Sequence, residues 1–212
     1  MRRIVVIPFL AVIMAMLGDN NAFAQSSQSC DAEARAWADE NLDALPQTLH
    51  ELLAVPGPYR KAVYRLLAPE IKSNVWRAHL GVFLDTHPEL SRVQQRALRD
   101  AISFASPDTF RIGVIADSRA ARARDQRARA LHRRFVEQFG AEQAGDLLGS
   151  LGADEGRATG DVVGTEGEQE CECADADAYC DGDFHCDPGG CVKSNGGCGT
   201  LGLYDCDGLC KR

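Results

Sequence analysis

Between Asp31 and Glu170 the chain contains no cysteine, although the whole of its 212 residues holds nine. Aromatic residues are few, at 7%. His-Glu-x-x-His is missing, so the pattern of a helical zinc protease is excluded. Gly-x-Ser-x-Gly is missing too, and with it the strand-turn-helix elbow of the α/β-hydrolases. A glycine-rich phosphate loop ending in Lys-Ser/Thr and a Gly-x-Gly-x-x-Gly fingerprint are also missing. No catalytic residues, cofactor or metal ligands are therefore assigned, and the chain is not expected to be an enzyme. A formal charge of −8 argues against nucleic acid as a partner of the whole chain. Beyond the first segment no apolar run approaches 18 residues, so an integral membrane protein is not expected.

The residues present are distributed unevenly. Residues 153–212 carry 14 acidic and 4 basic side chains, while the preceding part carries 17 and 19. A step of this size marks a boundary between units with different surfaces.

Residues 1–24 read as a secretory signal peptide of the general export type. Arg2 and Arg3 are followed by a 14-residue apolar run, Ile4 to Leu17. At 1.5 Å per residue that run spans roughly 21 Å, short of a ~30 Å hydrocarbon core. Ala22-Phe23-Ala24 then gives a small-x-small signal, so cleavage is predicted between Ala24 and Gln25. The mature chain is expected in the extracellular space or the periplasm.

From Asp31 to Gly152 the apolar residues recur at helical spacing. The stripes are Tyr59, Ala62, Val63, Leu66, Leu67; Trp76, Leu80, Phe83, Leu84; Leu90, Val93, Ala97, Leu98, Ala101, Ile102; Ala128, Leu131, Phe135, Phe139; and Ala144, Leu147, Leu148, Leu151. Pro69 is placed to open the helix that carries Trp76, Pro107 sits after Ser106 in a break, and Gly140 suits the close of a helix. Thr86-His87-Pro88-Glu89 has the form of a capping box opening a helix near His87. The expectation for 31–152 is an all-α domain of five to seven short helices in an irregular bundle. Eight arginines between Arg111 and Arg134 spread around the solvent face of one of them. His79 and His132 are taken as ordinary partly buried or surface residues.

Residues 153–170 hold four glycines and no aromatic, Leu or Ile, the composition of a flexible acidic linker. Residues 171–212 hold Cys171, Cys173, Cys180, Cys186, Cys191, Cys198, Cys206 and Cys210. The apolar residues between them cannot build a sufficient core, so disulfide staples and little regular structure are expected. Export favours pairing, which allows 105 connectivities. A bridge between Cys171 and Cys173 is disfavoured, because side chains two apart in extended chain diverge. No Cys-x2-Cys pair supports zinc. Asp175, Asp177, Asp181, Asp183 and Asp187 leave calcium as an alternative to plain solvating acid, although their order is not that of the twelve-residue calcium loop. Cys30 is left over, free or bridged between molecules.

The cysteine pattern opens Cys171-x-Cys173-x6-Cys180-x5-Cys186, with Asp-Ala-Tyr before the third cysteine, and continues with Gly197-Cys198-Gly199-Thr200 and two late cysteines. This resembles the bacteriocin fulvocin C. Arg60-Lys61-Ala62-Val63, Lys72-x3-Trp76 and Gln94-Gln95 are similar to the upstream part of longer fulvocin C-related proteins. The Cys206-x3-Cys210 spacing is wider than in that bacteriocin, and the tail is acidic. The resemblance implies a secreted antimicrobial precursor that acts on a bacterial cell surface or envelope component. Its active part would start near Glu168 and be released by cleavage in the linker. The turn Leu201-Gly202-Leu203-Tyr204 is expected to be its exposed active surface. The other reading is an extracellular binding or structural module, calcium-associated, carried by the helical domain. The opposite charges of the two parts predict that the acidic tail docks within the molecule on the helical domain.

Overall fold

A computed structural model describes residues 36–111, 119–152, 171–180, 184–191 and 193–212. The signal peptide with Ala24 and Gln25, Cys30, the linker, Asp181 and Asp183 lie outside the described residues.

Among the described residues of the first part, 36–40 are helical and seven further α-helices follow: α1 (Leu49–Ala54), α2 (Gly57–Leu66), α3 (Pro69–Thr86), α4 (Arg92–Phe104), α5 (Pro107–Arg111), α6 (Arg119–Phe139) and α7 (Ala141–Leu148). The ends follow local chemistry. Thr48 caps α1 by accepting from the Glu51 N–H, while the Glu51 carboxylate accepts from the Thr48 and Gln47 N–H groups. Pro69 stands in the first turn of α3, where its missing N–H costs nothing. Gly140, at φ 81°, separates α6 from α7 in a conformation that other residues reach only with strain.

The expected capping box at Thr86 is not there. Thr86 is the last residue of α3, and its hydroxyl donates back to Val82 O at 2.8 Å. The box belongs to Ser91 and Gln94, which exchange side-chain and backbone bonds and open α4. Nor are all the helices short: α3 has 18 residues and α6 has 21.

The core is built from Leu52, Val63, Val75, Trp76, Leu80, Leu98, Phe135 and Leu148, all buried. Helix α3 packs on α4 and α5, and α4 on α6, which in turn packs on α7. Two stripe members miss the core: Leu66 is 39% exposed and Val93 55%. Arg60 takes an inward place instead. Its Nη2 donates to Leu53 O and Val55 O, closing the end of α1. The arginines of α6 lie on its outer face except Arg124, whose side chain is 11% exposed, while Ala121, Ala128, Leu131 and Phe135 face in.

Among its described residues the C-terminal part has four short strands, β1 (His185–Pro188), β2 (Ser194–Cys198), β3 (Tyr204–Cys206) and β4 (Gly208–Lys211). They form two antiparallel pairs, β1 with β4 and β2 with β3. Cys186 stands opposite Cys210 in the first pair, and the second contains an irregularity between Ser194 and Cys198.

Candidate functional site at the seam between the two parts

All eight C-terminal cysteines are bridged: Cys171–Cys191, Cys173–Cys186, Cys180–Cys210 and Cys198–Cys206, with Cα–Cα distances of 5.1, 5.9, 5.6 and 5.3 Å. Two of the bridges arise from one sheet. β1 and β4 place Cys186 and Cys210 side by side, and each pairs outward, to Cys173 and Cys180. Every bridge stays within the module, so none ties it to the helices. Among the described residues, the sulfurs of Cys173, Cys180 and Cys210 form the only cluster with metal-ligand proximity. As disulfide sulfurs they offer no thiolate.

The described aspartates of the acidic loop do not converge on a common point. Asp187 pairs with Lys211 at the surface, Nζ to Oδ2 at 2.8 Å, and that ammonium holds the carboxyl below its usual range. Asp175 donates its backbone N–H to Asp207. Asp177 turns away from both, toward the helices.

The turn Thr200–Gly202 between β2 and β3 is pressed into the helical domain. Leu201 is 0% exposed and belongs to the same apolar cluster as Trp76, Phe135 and Leu148. The expectation that Leu201 lies on an exposed turn is therefore corrected. The module has almost no apolar interior of its own, and the leucine finds its dry environment in the neighbouring core. Leu203 and Tyr204 pack half-buried against that cluster.

Polar contacts fix the turn. Leu201 has φ 57° and ψ 25°, the left-handed region, which costs a leucine on the order of 1 kcal/mol or more. Its carbonyl accepts from the Tyr64 hydroxyl at 2.8 Å. That hydroxyl accepts from Trp76 Nε1, also at 2.8 Å, and the two rings meet edge to face. A chain of donors thus runs from the helical core into the turn. At Gly202, φ 62°, a Cβ would stand 2.9 Å from Tyr64 Cε1, so both conformation and close approach require glycine.

A second group lies beside the first. The Asp177 carboxylate is buried; its Oδ2 accepts from the Thr200 N–H at 2.7 Å, and Oδ1 lies 2.6 Å from Nδ1 of His132 on α6. The His132 ring stacks on Tyr179, centroids 4.2 Å apart, and the Tyr179 hydroxyl lies 2.8 Å from Thr200 Oγ1. Burial, reinforced by the Asp177 charge, pushes the Tyr179 phenol far above its ordinary range. Tyr179 also leans on Gly149, where a Cβ would be 3.0 Å from its ring. On the other side α2 contributes Lys61, Nζ 3.4 Å from Cys198 Sγ, and Arg65, whose Nε donates to Gly196 O at 3.3 Å.

The chain matches no family model, no curated protein and no solved structure.

The contacts between the module and the helical part use mainly different groups from those the charge balance suggested. Ion pairs of the arginine-rich stretch include Arg124 with Asp125, Arg134 with Asp100, and Arg111 with Glu70, all within the helical part. Besides Lys61 and Arg65, the seam uses Leu201 and Leu203, the tyrosines Tyr64, Tyr179 and Tyr204, and the His132–Asp177 pair. The spacing of these residues gave no sign of it. The one local signal was an apolar residue held between glycines, Gly199-Thr200-Leu201-Gly202, in a module whose own buried cluster is little more than Ala174 and its cysteines.

Proposed function

We propose that the chain is the exported precursor of a bacteriocin-related antimicrobial peptide, with the signal peptide removed between Ala24 and Gln25. The disulfide module is the active part and the helical domain its carrier. The observation that carries this reading is the four-bridge module itself, a unit whose bridges are all internal and whose covalent connection to the helices runs through residues 153–170. Four disulfides fit an oxidising compartment. None of the described helices is long and apolar enough to cross a membrane. The cysteine spacing resembles that of fulvocin C, and the acidic, glycine-rich linker is the kind of segment proteases cut.

In this reading the helical domain covers the module's Leu201 turn in the precursor, and cutting the linker is a required step of release. Its target is a component of a competing cell's surface or envelope. The test is mass spectrometry of culture supernatant before and after reduction, followed by growth inhibition with the recovered material. A chain beginning at Gln25, a released fragment beginning near Glu168 with four intact bridges, and inhibition of related strains are expected. Full-length protein alone, or a released fragment that inhibits no strain in a broad panel, contradicts the proposal.

A further inference from the structure

We infer that the helical domain is a specific receptor for the module's Thr200–Tyr204 turn, and that the two stay bound after the linker is cut. Leu201 is the plug that holds them. This inference stands on the seam and does not depend on what the module acts upon.

Three observations support it. First, the seam has the composition of a lasting contact: Leu201 is buried in the helical cluster, with Tyr179, Leu203 and Tyr204 packed against it. A buried apolar plug surrounded by oriented hydrogen bonds is where binding energy concentrates. Second, the fit is directional. Tyr64 donates to Leu201 O, Asp177 faces His132, and Arg65 donates to Gly196 O, so three helical residues on α2 and α6 read three points of the module. Third, the turn is shaped for this partner. Leu201 sits at φ 57°, a conformation that a leucine leaves unless its surroundings hold it. A glycine beside it leaves room for Tyr64.

The covered turn is also the module's main apolar feature. Linker cleavage alone therefore does not expose it, and dissociation is a second, separate step of release. Because Leu201 carries the contact and the arginines of α6 include pairs with acids of their own domain, the bound state is expected to tolerate salt.

The experiment uses the full chain with a protease site placed in the linker, cut in solution with the disulfides intact. Gel filtration and native mass spectrometry at low micromolar concentration are expected to show both fragments in one complex, also in about 1 M salt. Fragments that separate while unreduced mass confirms all four bridges overturn the inference. Separation only in high salt overturns the role of the plug. Leu201→Ala is expected to weaken the cut complex roughly thirty-fold or more. If this variant does not accumulate, Tyr64→Phe, which removes one hydroxyl, is expected to weaken it several-fold. Asp187→Asn, away from the seam, serves as the control. Cut Leu201→Ala or Tyr64→Phe complexes as tight as the unsubstituted one contradict the assignment.

Discussion

The two halves of the molecule meet the cost of ordering a chain by different means. The helical part encloses Trp76, Phe135, Leu98 and Leu148 in a dry core and has no bridge among its described residues. The module has eight cysteines among 42 residues and uses four bridges to restrict its unfolded ensemble. What the module cannot do is bury a leucine by itself, and it places Leu201 in the other half's core. The contrast teaches that covalent self-sufficiency and apolar self-sufficiency are separate properties. Bridges shape the module, yet its turn takes its environment from the helices.

The largest expected effect lies in the helical core. Trp76→Ala should cost about 3–5 kcal/mol by cavity formation and loss of the bond to Tyr64. Thermal melting followed by the helical signal would measure it, and the bridges should remain intact by mass. Next comes the module. Replacing Cys180 and Cys210 together by serine opens the longest loop, 30 residues apart, and should cost about 3–4 kcal/mol. Opening Cys198–Cys206, 8 apart, should cost nearer 2.6 kcal/mol by the same chain-entropy reasoning. Amide exchange of the β1–β4 pair reads the difference. If loss of Cys180–Cys210 also melted the helices, the contrast between the two halves would fail.

Leu201→Ala tests the borrowed environment. A cost of about 2–4 kcal/mol is expected, and it should appear in the exchange of both halves, unlike either change above. A cost confined to the module would break the link.

A smaller effect depends on pH. Burial pushes the His79 imidazole below its ordinary range, so the folded state holds it neutral. The unfolded chain then binds the proton more readily. The stabilisation is full above a pH of about 6.5 and is lost progressively as pH falls below it. Denaturant midpoints between pH 7.5 and 5 should fall in the native chain, with a shallower slope in His79→Leu. The smallest is Thr48→Ala, which removes the α1 cap at about 1 kcal/mol.

Much of the helical half was legible because its information is local. Ala144, Leu147 and Leu148 mark one face by spacing alone, and Pro69 stands where a helix begins. The Thr86 pattern misled because Ser91 offers a second capping hydroxyl five residues on, and an i to i+3 pattern cannot rank the two. The module's need for bridges was legible from its composition. Their pairing was not, because it depends on which strands lie side by side: β1 and β4 bring Cys186 opposite Cys210 across intervening chain. The seam was the least legible. Tyr64 and Leu201 are 137 residues apart, and His132 and Asp177 are 45 apart. A leucine between two glycines looks like an exposed tip until the surface that covers it is known.

The central claim is that this turn lies inside the helical domain, and nuclear Overhauser contacts in the full-length oxidised protein test it most directly. Cross-peaks from the Tyr64 ring to the Gly202 α-protons are predicted, with Leu201 methyl signals shifted by the surrounding aromatic core. Leu201 methyls that show contacts only within residues 171–212, at shifts typical of exposed leucine, would contradict it.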